Sequence, residues 1–181
     1  MLTLLKSWAQ PDAFHTVLNE RSGRWYNACL RITRDPEAAA DAVQDALLKA
    51  WDRRHEFRGE AALDTWIHRI AINAAIDHTR RRKRRAEEEL PEETFETPAT
   101  DAPDQDYVDE ALGRDLAVAM QRLTTNERQT FLLKHIEGWK LEEIAESTQT
   151  NINNVKSTLF RSVRKLRVVL HAWGESPGAT P

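Results

Sequence analysis

Between Phe14 and Ile32 the chain reads "FHTVLNERSGRWYNACLRI", with Phe14, Leu18, Trp25, Cys29 and Ile32 on one helical stripe. The same spacing of three and four recurs in later stretches, while the apolar–polar alternation of a half-buried strand is nearly absent. A helix with one apolar stripe must bury it against other helices. The expected fold is therefore all-α, built from small helical bundles. No run of about 18 apolar residues exists to span a membrane. The start "MLTLLKSWAQPDAF" is too short in its apolar part, and lacks the basic start, to be a secretory signal. Cys29, the only cysteine, sits in the stripe and is expected in the core. One cysteine permits no internal disulfide and no cysteine-based zinc site, which fits a reducing, cytoplasmic setting.

In "RDPEAAADAVQDALLKAWDRR" Asp35 can cap a second helix, and Pro36 suits its first turn. Val43, Leu47 and Ala50 are expected to face inward, with Asp41, Asp45, Leu48 and Asp52 on another face. "HEFRGEAALD" breaks the pattern at Gly59, and a third helix is expected from about Thr65 into the cationic run Arg80–Arg85. Leu63, Ile67, Ile70 and Ala74 form its apolar stripe; Arg69, Asn73, Asp77, Arg80 and Arg84 form a polar one. Cations suit the negative end of a helix dipole, but six exceed that need.

The net charge of −3 conceals a segregation. Residues 1–85 carry 16 basic and 11 acidic side chains; residues 86–113 carry 11 acidic and none basic; residues 114–181 carry 10 basic and 7 acidic. Each basic flank must be judged for nucleic acid on its own. "EEELPEETFETPATDAPDQD", with three prolines and nine acids, buries too little apolar surface to fold alone and is expected to be a linker. Tethered acids can compete with phosphate for the basic helix end, or act only as a solubilising tether. The expected organisation is a helical domain at 1–85, an acidic linker at 86–107, a second domain at 108–173 and a disordered tail at 174–181.

In the second domain "LTTNERQTFLLKHIEG" holds a capping box from Thr124 to Glu127 and a stop at Gly138. "LEEIAESTQTNINNVKSTLF" then has helix-turn-helix spacing. Leu141, Ile144 and Ala145 pack the first helix, Ser147–Thr150 form the turn and Asn151 can cap the second helix. Its inner stripe is Ile152, Val155, Leu159, Val163, Leu166 and Leu170. Its outer face carries Asn153, Lys156, Ser157, Phe160, Arg161, Arg164 and Lys165. Such a face suits a major groove, where Arg and Lys read guanine and Asn reads adenine. The bland alternative is an amphipathic helix with a solvated cationic face.

With these motifs in place, the chain resembles the extracytoplasmic-function class of bacterial RNA polymerase sigma factors. "DAVQDALLKAW" resembles the helix of sigma domain two that grips the polymerase clamp. "FRGEAALDTWIHRIAINAAID" resembles the segment that reads and melts the −10 element. Residues 123–167 resemble domain four, which reads the −35 element. The resemblance implies promoter-specific transcription initiation, commonly in stress response. It implies as partners core RNA polymerase, through clamp and flap of the large subunits, and promoter DNA, as duplex and as melted non-template strand. An anti-sigma factor is a further implied partner.

By matching position, the resemblance assigns polymerase binding to Asp41, Gln44, Asp45, Leu48 and Trp51. It assigns −10 contacts to Phe57, Arg58, Gly59, Arg69, Asn73, Arg80, Arg81, Lys83 and Arg84. The −35 contacts are Asn153, Asn154, Lys156, Ser157, Phe160, Arg161 and Arg164, with Phe160 meeting a thymine methyl. Arg82 is a further expected phosphate contact. Asn73 offers a donor and an acceptor to a flipped base, or is simply solvated; Trp66 stacks on a base or belongs to the core. Gln149 stands where the family usually has Gly, and Lys140 where it often has a Ser cap, so Glu142 and Glu143 must favour that helix start through the dipole. Ala40 stands where an acid often precedes Asp41.

Two other readings compete: a helix-turn-helix regulator acting without polymerase, and a helical adapter that binds only proteins. An enzyme is not expected. The six histidines, at 15, 55, 68, 78, 135 and 171, lack metal-site spacing, and no Gly-rich phosphate loop exists, so no catalytic residue, metal or cofactor is assigned. His68 and His78 are expected to be solvated or to face phosphate.

Overall fold

Asp35 starts a helix hairpin. Helix α1 (Pro11–Thr33) ends as Arg34 turns left-handed, at φ 54°, and donates its N–H to Leu30 O at 2.8 Å. Helix α2 (Pro36–Asp52) begins where the Asp35 carboxylate accepts from the N–H groups of Glu37 and Ala38, at 3.0 and 3.2 Å. In this computed structural model residues 11–58, 61–89 and 114–174 are described. Residues 86–89 of the expected linker 86–107, and Gly174 of the expected tail 174–181, are helical instead, each carrying on the helix before it. The rest of the linker, residues 108–113 of the expected second domain, the rest of the tail and Gly59 lie outside the described residues.

The inward face of α2 differs from expectation. Ala39, Ala42, Ala46 and Ala50 are fully buried, whereas Val43 and Leu47 are only half-buried. Alanines have no side chain beyond Cβ to hold two backbones apart, so they occupy the seam with α1 and the branched residues fill its margins.

Helix α3 (Leu63–Glu89) runs unbroken through the cationic block into the first acids. Ile67, Ala71, Ile72, Ala74, Ala75 and Ile76 are buried along it. Several contacts fix it to the hairpin. Trp25 Nε1 donates to Asp64 at 2.8 Å, Cys29 Sγ donates to Ala71 O at 3.4 Å, and His78 Nε2 lies 3.0 Å from Asp45 Oδ2. Arg24 also pairs with Asp64. His68 is buried at 5% exposure, so the expectation that it faces solvent or phosphate is corrected: its position shares the buried side with Ile67 and Ile72.

The second part begins with α4 (Arg114–Ala119) and a 3-10 turn at Met120–Arg122. Helix α5 (Thr125–Phe131) carries the full capping box, with Thr124 N–H to Glu127 Oε2 at 3.0 Å and Glu127 N–H to Thr124 Oγ1 at 3.3 Å. It widens into a π-turn over Leu132–Ile136, closed by Glu137 N–H to Leu132 O at 3.0 Å, and Gly138 ends it at φ 72°. Helices α6 (Leu141–Ser147) and α7 (Ile152–Gly174) follow. Leu123, Leu132, Leu133, Ile144, Val155 and Leu166 close the core.

Lys140 has no side-chain acceptor to cap α6, and only the reciprocal half of a capping box forms: Glu143 accepts the Lys140 N–H at 2.8 Å, a direct bond beyond the dipole effect. Asn151 Oδ1 accepts from Asn154 N–H at 2.8 Å and so caps α7. On α7, Val155 and Leu166 are buried while Ile152, Leu159 and Val163 are half-buried; the side chain of Leu170 is not described. Ser162 is fully buried and donates to Leu159 O at 2.8 Å. Among the described residues there is no strand, and the fold is all-α. The chain divides into two compact units, residues 1–86 and 87–181.

Gln149 adopts φ 54°, the left-handed conformation that the turn requires. That conformation costs a side-chain-bearing residue about 1–2 kcal/mol, and glycine's extra chain entropy costs roughly 0.5–1 kcal/mol. The first term is larger, so Gln149→Gly should stabilise the second unit by about 0.5–1 kcal/mol. Urea unfolding followed by circular dichroism checks this; a lower midpoint would contradict it.

Candidate nucleic-acid interface

Helix α7 carries its polar residues on the face opposite Val155 and Leu166. Asn153, Asn154, Lys156, Ser157, Phe160, Arg161 and Arg164 are all exposed, so the residues expected to touch the −35 element share one surface. Phe160 stands out at 70% exposure. An apolar ring this exposed among cations and amides is left uncovered by the described residues. Asn154 is partly committed to the turn, since its Nδ2 donates to Thr150 Oγ1 at 3.2 Å.

Two cations of this face converge on one carboxylate. Lys165 Nζ lies 2.7 Å from Glu127 Oε2, and Arg161 Nε lies 3.7 Å from Glu127 Oε1. The Glu127 side chain is only 5% exposed. Burial by itself would raise its pKa, but the hydrogen bonds from Lys165 and from the Thr124 N–H, with the nearby ammonium charge, hold the carboxyl below the usual carboxylate range. Arg161 Nη2 also donates to Thr158 Oγ1 at 3.1 Å. The sequence marked Glu127 only as half of a capping box. The spacing of Arg161 and Lys165, one turn apart, was the available hint that a single group could hold both.

On α3 the residues expected at the −10 element are spread along the helix. Arg69 and Asn73 are exposed, and Asn73 Nδ2 donates to Arg69 O at 3.0 Å, which commits one of its N–H groups to the helix itself. Arg81, Lys83 and Arg84 are exposed. Arg80 is half-buried and pairs with Asp77 at 2.7 Å. Arg82 reaches Asp35 at 3.1 Å, so the cap of α2 also holds the cation expected to meet phosphate. At the start of α3, Phe57 and Trp66 are both half-buried, with ring centroids 5.4 Å apart and planes tilted by 55°. Trp66 is thus packed on Phe57 without being sealed in the core. Arg58 beside them is exposed.

Helix α2 presents a different surface. Asp41, Gln44, Leu48 and Trp51 are exposed, with Leu48 at 60% and Trp51 at 41%. The Arg54 guanidinium lies 4.7 Å above the Trp51 ring. Asp45 is half-exposed and is held from behind by His78, a partner that sequence spacing could not reveal. Two acids flanking exposed Leu and Trp make a surface suited to a protein partner. No described helix is long and apolar enough to cross a membrane. Among the described residues no group of three or more His, Cys, Asp or Glu could hold a metal ion.

Comparison with known proteins accounts for both units. Residues 19–85 match the family model Sigma-70 region 2, and residues 113–166 match Sigma-70, region 4. The chain is 30% identical over 160 residues to the ECF RNA polymerase sigma factor SigE of Mycolicibacterium smegmatis, covering 88% of this chain and 62% of that one. It is 31% identical over 160 residues to the RNA polymerase sigma-E factor of Streptomyces coelicolor, covering 88% and 86%. Among solved structures, the sigma factor RpoE in complex with the anti-sigma factor NepR from Bartonella quintana superposes with a TM-score of 0.56 at 23% identity, over 88% of this chain and 97% of that one, a likeness of fold. With both units matched in order, and with relatives aligned over most of their own length, this chain belongs to the extracytoplasmic-function class of RNA polymerase sigma factors.

Proposed function

We propose that this sigma factor binds core RNA polymerase through the exposed face of α2, contacts the −10 element through α3 and the loop before it, and reads the −35 element through the outer face of α7. Residues 1–85 act as sigma domain two and residues 108–173 as domain four, with the chain from the end of α3 to residue 107 as the tether between them. The α7 face carries this reading, because Phe160 at 70% exposure stands among Asn153, Lys156, Ser157, Arg161 and Arg164. That set can meet phosphates, base edges and a thymine methyl together. Nucleotide polymerisation is the work of the partner enzyme. The protein accordingly works in the cytoplasm, and by likeness to the RpoE–NepR pair it takes an anti-sigma protein as a second partner. Run-off transcription with core polymerase on genomic fragments tests the reading; no promoter-dependent transcript would overturn it.

The reader and the phosphate clamp should separate by mutation. Arg161→Ala should cost roughly 1–3 kcal/mol at one −35 base pair and relax the preference there. Arg81 is exposed, whereas Arg82 is engaged with Asp35, so Arg81 is the better phosphate contact of the two. Arg81→Ala should weaken binding across sequences and reduce the salt slope by about 1. Equal, sequence-independent losses in both variants would remove the division.

A further inference from the structure

We propose that Glu127 is a positioning residue for promoter reading, its buried carboxylate holding Arg161 and Lys165 in the geometry from which Arg161 meets a base. This rests on α7 being the −35 reader. The capping box alone does not explain the residue. The cap needs only an acceptor for the Thr124 N–H, which a neutral Gln supplies equally well. A buried charge requires further compensation, and here it comes from two cations on the outer face of α7.

The two contacts are unequal. Lys165 at 2.7 Å neutralises the carboxylate directly. Arg161 at 3.7 Å is drawn toward it without being sealed against it, and Thr158 Oγ1 steadies its Nη2 at 3.1 Å. Arg161 remains 59% exposed, so the rest of its five-donor fork can reach outward. A long side chain ordered before binding loses less entropy on meeting its base. Glu127 therefore serves sequence discrimination rather than affinity: its negative charge slightly opposes DNA phosphate while it aims the reader.

The test uses holoenzyme assembled from the full chain and core polymerase. Wild-type holoenzyme selects its −35 sequence from a randomised duplex pool, and binding to single-base variants of that sequence is measured for wild type, E127Q, R161A and the double variant. E127Q keeps size and cap and removes only the charge. Discrimination should fall at least about twofold at the base pair that R161A relaxes, with no further fall in the double variant. Non-specific affinity should stay equal or rise. E127A, which also loses the cap, should melt lower but show the same relaxed base pair, each variant being measured below its melting temperature. If R161A relaxes a base pair and E127Q does not, Glu127 is only a cap and the proposal falls while the −35 reading stands. If E127A relaxes it and E127Q does not, the cap rather than the charge is responsible, and the proposal again falls. If neither E127Q nor R161A changes any preference, Arg161 is no reader and both ideas fail.

Discussion

Reversing two charges on α2, Asp41→Arg with Asp45→Arg, should abolish binding to core RNA polymerase while the helical circular-dichroism signal stays. Asp41 and Gln44 are exposed one turn apart, beside Leu48 at 60% and Trp51 at 41% exposure. Exposed Trp and Leu supply the apolar area of such an interface, and flanking acids orient the partner. Two like-charge encounters cost several kcal/mol, and about 4 kcal/mol already lowers affinity roughly a thousandfold. Asp41 makes no contact that the fold needs. Asp45 does have one, His78 at 3.0 Å, so His78→Ala is the control for losing that pair alone. Its core affinity should stay near wild type, since the carboxylate remains. Pull-down of core polymerase with each variant decides the matter, and wild-type affinity in the double variant would take the interface off this face.

Much of this surface is legible in the sequence. Helix periodicity, the Asp35–Pro36 start, the Thr124–Glu127 box, Gly138 and the Asn151 cap are local signals, each satisfied by atoms within a few residues. The outer face of α7 was legible for the same reason, because a stripe of seven exposed residues is fixed by a period of 3.6 once the inner stripe is known. What the sequence did not reveal depends mostly on contacts across elements. Periodicity placed Val43 and Leu47 inward, but the α1–α2 seam selects the small side chains Ala39, Ala42, Ala46 and Ala50. His68 looked polar and hence exposed, yet it lies on the buried side of α3. The cationic run read as one block of phosphate contacts. Coiled round a helix, its members point in different directions, so Arg80 meets Asp77 and Arg82 meets Asp35 while Arg81 and Arg84 face outward. Glu127 joins α5 to α7 across 38 positions of sequence, a distance at which no spacing rule operates.

The largest stability effect should come from Trp25→Ala. Trp25 is fully buried, and its Nε1 donates to Asp64 at the start of α3, so one side chain supplies both apolar volume and a bond that ties α1 to α3. Removing a buried indole costs about 3–5 kcal/mol through lost burial and the cavity left behind. A domain of this size has roughly 4–13 kcal/mol in total, so the loss takes a large share of its stability. Each kcal/mol moves such a domain by about 4–8 °C, which predicts a melting temperature lower by at least roughly 12 °C. Trp25→Phe separates the two contributions. It keeps most of the volume and loses the hydrogen bond, so it should cost less, about 1–2 kcal/mol, with Arg24 still available to Asp64. Hydrogen exchange locates the effect, because α1 and α3 meet in residues 1–86 whereas residues 123–169 close a core of their own. Amides of α1, α2 and α3 should lose protection in Trp25→Ala, and those of α5 and α7 should keep it. A variant that melts with wild type would mean that the indole is not the keystone of the α1–α3 contact, and that the alanine seam with α2 suffices to hold the unit together.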